Sequence, residues 1–254
     1  TILLFFSDIM NSYQFDEPAK EIPYFLIDFI VPDLDPDFVV HILNTIAHGV
    51  PSIEKTDFFN TLLTNFLSCY QEANEEIVSL YFFALSIYLP QGRLFPEEHY
   101  EVISELIQYF LPCLDLSTQE IQKKELCITF SIFVFKMFTI DQNLYSENLE
   151  KAVHNISVAF SYVQDDYDLL ELSAKTLIQY IKLFGDRAFN FFHENDYYSH
   201  LYQFLFPKSY NFDQASINPY TLVLSYICKH DKDNFKERGY FSSTIFRIIA
   251  LGKR

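Results

Sequence analysis

The 254-residue sequence predicts an all-α protein, a single helical solenoid wound as a right-handed superhelix without a sheet. The first observation is a recurring order of parts: a short amphipathic segment, an apolar helix, a polar break and a longer, nearly all-apolar helix. The second is spacing, because the ends of the long helices align at roughly 42 to 49 residues, the range of helical solenoid repeats. The third is that no segment shows the sustained alternation between Asn-Gly or Asp-Gly turns that a β-hairpin requires.

The long helices fix the register of the repeat. They are expected at Pro36 to Gly49, Asn74 to Leu89, Asp165 to Asp186 and Pro219 to Asp231. Their apolar sides predict that four leucines are buried between units: Leu80, Leu85, Leu177 and Leu224. A further apolar run, Ile128 to Ile140, has about 13 residues, fewer than the roughly 20 that a membrane span needs.

The shorter helices show one-sided apolar spacing. Phe58, Leu62, Leu63, Phe66 and Leu67 follow the i, i+4, i+5, i+8, i+9 pattern of one helix face. The same reasoning applies to the segment from 102 to 110. Both segments precede a long apolar run, as the repeat requires.

Helix boundaries follow from capping residues and breakers. Asn74 is expected to cap a helix whose first buried residue is Ile77, and Gly185 to form a tight turn between helices. Pro90 and Pro112 are expected to end the helices before them. Other expected helix starts and turns are at Thr56, Pro96, Thr118, Gly49 and Gly239. Segments rich in Asn, Ser, Asp and Pro are expected to be loops, namely Asn11 to Glu21 and Lys208 to Asn218.

The charge balance restricts the class of partner. The chain has 34 acidic and 18 basic residues, a formal net charge of -16. A negative field of this size repels nucleic-acid backbones and anionic membranes, so we expect no nucleic-acid partner and no membrane insertion. A basic peptide or protein is the electrostatically favoured partner. The acidity is equally compatible with a role in solubility alone.

Cysteine usage indicates the compartment. The four cysteines are far apart, form no CxxC pair and lie in apolar helical segments: Cys69, Cys113, Cys127 and Cys228. We therefore expect reduced core thiols in an intracellular protein, cytoplasmic rather than nuclear. The first residues, TILLFF, lack an initiator Met and a basic signal-peptide start, so the sequence is expected to be a fragment of a longer chain.

The order of parts resembles the armadillo-repeat family over about Ile22 to the C-terminus, in about five repeats and a partial last one. The closest local resemblance lies in the last two units. In the first of these, Arg187 to Glu194 matches the short helix, Asn195 the bend and Tyr197 to Phe206 the second helix. The other runs from His230 to Ala250 with Gly239 at its bend. Two-helix HEAT-type repeats fit the same period and remain open as an alternative.

In armadillo proteins the third helices line a concave groove that binds extended peptides, so the resemblance implies a groove here. The matching positions form five pairs: His41 and Thr45, Phe83 and Ile87, Cys127 and Ser131, Lys175 and Gln179, Leu222 and Tyr226. None of these pairs is the Trp and Asn of the family's nuclear-import receptors, which argues against that role. Apolar spacing alone favours a packing role for Phe83, Ile87 and Leu222.

No catalytic or cofactor motif is present. The sequence lacks GxGxxG, GxxxxGK[ST], HExxH and GxSxG. A metal site at His193 and His200 would span a predicted break, and the run Asp33, Asp35, Asp37 lacks the Gly and Glu of a calcium loop. We therefore expect neither an enzyme nor a bound cofactor or metal ion.

The sequence favours a non-catalytic interaction scaffold that binds a peptide or protein along the solenoid groove. The alternative is a structural or regulatory helical segment of a larger protein. An enzyme with a site between helices is third, because no catalytic constellation can be recognised.

Overall fold

The computed structural model describes residues 22–30, 34–48, 55–90, 95, 99–116, 123–142, 146–163, 166–198 and 214–233. These ranges contain helices and connecting turns, with no strand, in agreement with the all-α prediction. Their α-helices are α1 Ile22–Asp28, α2 Pro36–His48, α3 Lys55–Cys69, α4 Glu75–Tyr88, α5 His99–Phe110, α6 Lys124–Ile140, α7 Leu149–Val158, α8 Tyr167–Phe184, α9 Asp186–Glu194 and α10 Gln214–His230. Short 3₁₀ segments occur at Leu111–Leu114, Ser146–Asn148 and Ala159–Ser161.

The chain divides into two compact units. The first spans Thr1–Ala152 and the second Val153–Arg254, so the boundary falls within α7.

In the first unit, the long helix α4 packs against α2, α3 and α6. The Tyr88 hydroxyl donates a hydrogen bond to the Ile46 carbonyl on α2 at 2.8 Å. On the opposite side, the Ser79 and Thr129 hydroxyl oxygens lie 3.1 Å apart across the contact with α6. The long helices α2, α4 and α6 therefore lie in succession, each beside the next.

Aromatic rings fill the space between α3, α4, α5 and α6. The Phe82 ring lies 4.9 to 5.3 Å from the rings of Phe66, Phe110, Phe130 and Phe133. All five residues are buried. Rings at these separations and tilts gain contact energy beyond the area they bury, so this cluster is the centre of the first unit's core.

The second unit is built on α8, which packs against α9 and α10. Its core contains Leu170, Leu177, Phe192, Val223 and Leu224, all nearly inaccessible to solvent. The long helices α8 and α10 are thus neighbours, which repeats the relation between consecutive long helices in the first unit.

Several sequence predictions are confirmed. The Asn74 side-chain oxygen accepts a hydrogen bond from the Ile77 amide at 2.9 Å, as an N-cap should. Helix α4 ends at Tyr88 before Pro90, and α5 ends at Phe110 before Pro112. The leucines Leu85, Leu177 and Leu224 are buried.

The prediction for Leu80 is wrong, since this side chain is only half-buried. Leu80 and Ile87 are separated by two helical turns and share one side of α4. Ile87 is half-buried too, so this side of the helix is the more open one. The apolar character of α4 all around its axis concealed that side from sequence analysis.

The predicted loop at Lys208 to Asn218 is wrong in its second half. Helix α10 begins at Gln214, so Pro219 lies inside the helix instead of at its start. Proline has no N–H to donate to the carbonyl four residues earlier and its ring crowds that carbonyl, so the helix forms at some cost here, and Gln and Ala before it are good helix formers. The first half of that predicted loop lies outside the described residues, and so does the whole predicted loop from Asn11 to Glu21. The expected features at Gly49, Pro96, Thr118, Gly239 and Phe206 do too.

Cysteine burial is less complete than the sequence suggested. Only Cys127 is buried, whereas Cys69, Cys113 and Cys228 are half-buried, and all four thiols are free. The difference arises because these three lie near helix ends or in the 3₁₀ segment, where packing is one-sided.

Among the described helices, the two most apolar, α4 and α6, are core helices. Ten of the fourteen residues of α4 and twelve of the seventeen residues of α6 are buried. Within the described ranges, every helix is too short or too polar to span a bilayer.

Gly185 makes the tight turn between α8 and α9 with φ of 53° and ψ of -125°. A Cβ atom there would meet no heavy atom within 4 Å, so only the backbone conformation opposes a side chain. We expect Gly185→Ala to lower the free energy of unfolding by about 1 to 3 kcal/mol, measured by urea denaturation. Asn190→Ala, on the exposed side of α9, is the control and should have little effect. Equal stabilities for both variants would contradict the strained turn.

Candidate functional site

The structure separates the predicted groove residues into exposed and buried positions. His41 and Lys175 are exposed, and Ile87, Gln179 and Tyr226 are partly exposed. Thr45 and Phe83 are buried. The exposed and partly exposed members all lie on the long helices α2, α4, α8 and α10.

Thr45 and Phe83 present no surface to a ligand. The Thr45 hydroxyl donates to the His41 carbonyl at 2.8 Å, within its own helix, and Phe83 is 6% exposed. Cys127 and Ser131 on α6 are completely buried. At these positions the sides of neighbouring long helices are covered, so the pairing drawn from the family resemblance does not continue across α6.

In the second unit, side chains of α8 and α10 form one exposed surface that is called here the lysine face. It consists of Lys175, Lys182, Leu222, Tyr226 and Lys229. The Lys182 ammonium lies 5.7 Å from the centroid of the Tyr226 ring, which shows that the two helices present these side chains together. Leu222 is 46% exposed, so the packing role that apolar spacing suggested for it is wrong.

Two of these residues were missed by sequence analysis. Lys182 lies one helical turn after the predicted position Gln179. Lys229 lies one turn after Tyr226 and two turns after Leu222. The signal was present in the spacing, since Lys175, Gln179 and Lys182 recur at i, i+4 and i+7. The family resemblance marks only two positions in each helix, so it does not include Lys182 or Lys229.

A polar cluster lies at the end of α10. The Tyr198 hydroxyl donates a hydrogen bond to Asp231 Oδ2, and His193 Nε2 lies 3.3 Å from the same oxygen without hydrogen-bond geometry. Tyr198 is fully buried and Asp231 nearly so. This cluster joins the segment after α9 to the end of α10. Because solvent hardly reaches Tyr198 and Asp231, the cluster offers no room for a substrate.

The metal site considered for His193 is not formed within the described part of the chain. His200 lies outside that part, and the described residues contain no group of three or more His, Cys, Asp or Glu that could hold a metal ion. Asp35 and Asp37 are exposed at the start of α2, where the Asp35 carboxylate accepts from the Asp37 amide at 2.9 Å. That contact is typical of a helix N-terminus.

The thiols have environments that oppose nucleophilic chemistry. Burial raises the pKa of Cys127 to about 12 and that of Cys228 to about 11. Burial also raises the pKa of Cys69 and Cys113. The thiolate is the reactive form of cysteine, so the raised pKa lowers the fraction of each thiol that can react at neutral pH.

Charge is divided unequally between the two units. The first unit contains 23 of the 34 acidic and 7 of the 18 basic residues, whereas the second contains 11 of each. The whole net charge of -16 therefore belongs to the first unit, and the second is neutral as a whole. The argument from net charge to a basic partner applies to the first unit alone.

Comparisons with protein-family models, with curated proteins and with solved structures gave no significant match for this chain.

Proposed function

We propose that the chain is a non-catalytic, intracellular interaction scaffold, an armadillo-like solenoid that binds a peptide or protein segment along its long helices. The observation that carries this proposal is the succession of long helices. In the first unit α4 lies beside both α2 and α6, and in the second α10 lies beside α8. Successive third helices pack in this way in an armadillo array, where together they form a binding surface.

The composition of these helices supports binding rather than catalysis. The exposed sides of the long helices carry His41, Ile87, Lys175, Gln179 and Tyr226, a mixture of apolar, aromatic and polar groups. Such mixtures suit recognition of an extended segment, in which side chains fill apolar positions and charges fix the register.

In the first unit the proposed partner is basic. Asp37 on α2 and Glu76 on α4 are exposed residues in the first turns of two adjacent long helices. Glu76, Leu80 and Ile87 share one side of α4, because they are separated by about one, two and three helical turns. A segment with lysines and an apolar residue would match this arrangement of carboxylates and half-buried apolar side chains.

The test is the affinity of the chain for a short peptide of lysines around a central leucine, followed by fluorescence anisotropy. We expect the double variant Asp37→Lys, Glu76→Lys to bind this peptide about tenfold more weakly at low salt. Each reversal replaces an attraction with a repulsion, and exposed ion pairs contribute up to about 1 kcal/mol each.

The control is Glu101→Lys, which makes the same charge change in the first turn of α5. Its effect on helix dipole and net charge matches that of Glu76→Lys, but α5 is not a long helix of the repeat. Absence of binding of the lysine peptide, or an equal loss of affinity per reversed charge in control and double variant, would contradict the basic partner proposed for the first unit.

A further inference from the structure

The lysine face has a chemistry opposite to that of the whole chain. Its cations are Lys175, Lys182 and Lys229, and its apolar part consists of Tyr226 and the exposed Leu222. We infer that this face binds an acidic peptide segment, with carboxylates on the lysines and an apolar side chain on Leu222 and Tyr226. The inference rests on the proposed function and assigns to the second unit a partner of opposite charge from that of the first.

The geometry brings these groups onto one surface. On α8, Lys175 and Lys182 are two helical turns apart, and on α10 Leu222, Tyr226 and Lys229 recur at i, i+4 and i+7. The contact between the Lys182 ammonium and the Tyr226 ring joins the two rows. The Tyr226 ring is also stacked on His230 at 4.7 Å, which holds its orientation.

The cations differ in how far they are already neutralised. Lys175 Nζ lies 2.7 Å from Glu171 Oε1, so part of its charge is compensated within α8. Among the described residues, Lys182 and Lys229 form no ion pair. These two are therefore the principal sites for a ligand carboxylate, and Lys175 is secondary.

The local electrostatics permit an acidic ligand despite the total charge. The second unit has equal numbers of acidic and basic residues, so it contributes no net repulsion. At an ionic strength of about 0.15 M, interactions beyond about 8 Å are largely screened. The nearest charges then decide binding, and at Lys182 and Lys229 they are the lysine ammonium groups, whereas Glu171 offsets part of the charge of Lys175.

A different explanation is that the lysines serve only the helices. Lys182 and Lys229 lie in the last turns of α8 and α10, where a cation interacts favourably with the helix dipole. That role predicts an effect of charge reversal on stability but none on ligand affinity. The two roles are separated by measuring both quantities on the same variants.

The test uses the full chain and a labelled peptide of glutamates around a central leucine, at about 0.15 M salt. We expect the wild type to bind this peptide. The double variant Lys182→Glu, Lys229→Glu should bind it at least about tenfold more weakly, since two attractions become repulsions. The milder variant Lys182→Gln, Lys229→Gln should be intermediate. If the reversed variant does not fold, this neutral variant decides the result.

The matched control is Arg187→Glu, an exposed residue of α9 in the same unit. It should leave the affinity for the acidic peptide unchanged. Weakening by Arg187→Glu equal, per reversed charge, to that of the lysine variant, or wild-type binding by the lysine variants, would overturn the inference. Lysine-dependent binding of a single-stranded RNA without binding of the acidic peptide would overturn it as well.

The lysine peptide used for the first unit distinguishes the two proposals. Binding of that peptide without binding of the acidic peptide would reject the lysine face and leave the scaffold intact. Failure of both peptides would reject the scaffold and the lysine face together.

Discussion

Substituting Phe82→Ala is expected to lower the free energy of unfolding by about 3 to 5 kcal/mol. Phe82 is fully buried, and its ring lies within 5.3 Å of the ring centroids of four others: Phe66, Phe110, Phe130 and Phe133. Removing the ring loses its transfer free energy and leaves a cavity bordered by three other helices. Those helices cannot close the cavity without moving against one another, so the cost is at the upper end for core substitutions.

Phe25→Ala is the matched control for this measurement. Phe25 is 52% exposed, although it is in the same unit and its ring lies 4.7 Å from that of Phe29. Loss of this exposed contact should cost well under half as much. Chemical denaturation of both variants decides the point, and a similar midpoint for Phe82→Ala and the wild type would show that the ring cluster does not form.

In the second unit, Leu224→Ala is expected to lower the free energy of unfolding by about 2 to 5 kcal/mol. Leu224 is 0% exposed, and it lies on α10, the helix that packs against α8. The same substitution two residues earlier, Leu222→Ala, should change stability by less than about 0.5 kcal/mol, because that side chain is on the surface.

The pair also connects stability to binding. Leu222→Ala should weaken binding of the acidic peptide and leave the denaturation midpoint unchanged, since Leu222 belongs to the lysine face and not to the core. Leu224→Ala should lower the denaturation midpoint but leave binding of the acidic peptide unchanged, at temperatures where the variant remains folded. If Leu222→Ala were the more destabilising of the two, the rotation of α10 about its axis would be wrong.

The residues that the sequence placed correctly are those governed by local chemistry. The capping of α4 by Asn74, the turn at Gly185 and the ends of α4 and α5 before proline depend on a few neighbouring residues. The helix content within the described ranges follows from apolar spacing in the same way. For these features the chain carries the information within one or two helical turns.

Surface placement was harder to predict wherever a helix is apolar on all sides. Helix α4 has buried residues around most of its circumference, so its pattern could not show that Phe83 is covered while Leu80 and Ile87 are half-exposed. The same ambiguity concealed the exposure of Leu222 on α10. In these helices the neighbours, and not the sequence of the helix itself, determine which side is open.

By itself, the sequence determined that this chain forms helices, that it has long apolar helices at nearly regular spacing and that its net charge is strongly negative. The tertiary structure decided which helix sides are covered, that Lys182 meets Tyr226, and that the negative charge belongs to the first unit alone. The physical reason is range. Helix formation and capping depend on residues within a few positions, whereas burial and local field depend on side chains brought together from distant parts of the chain.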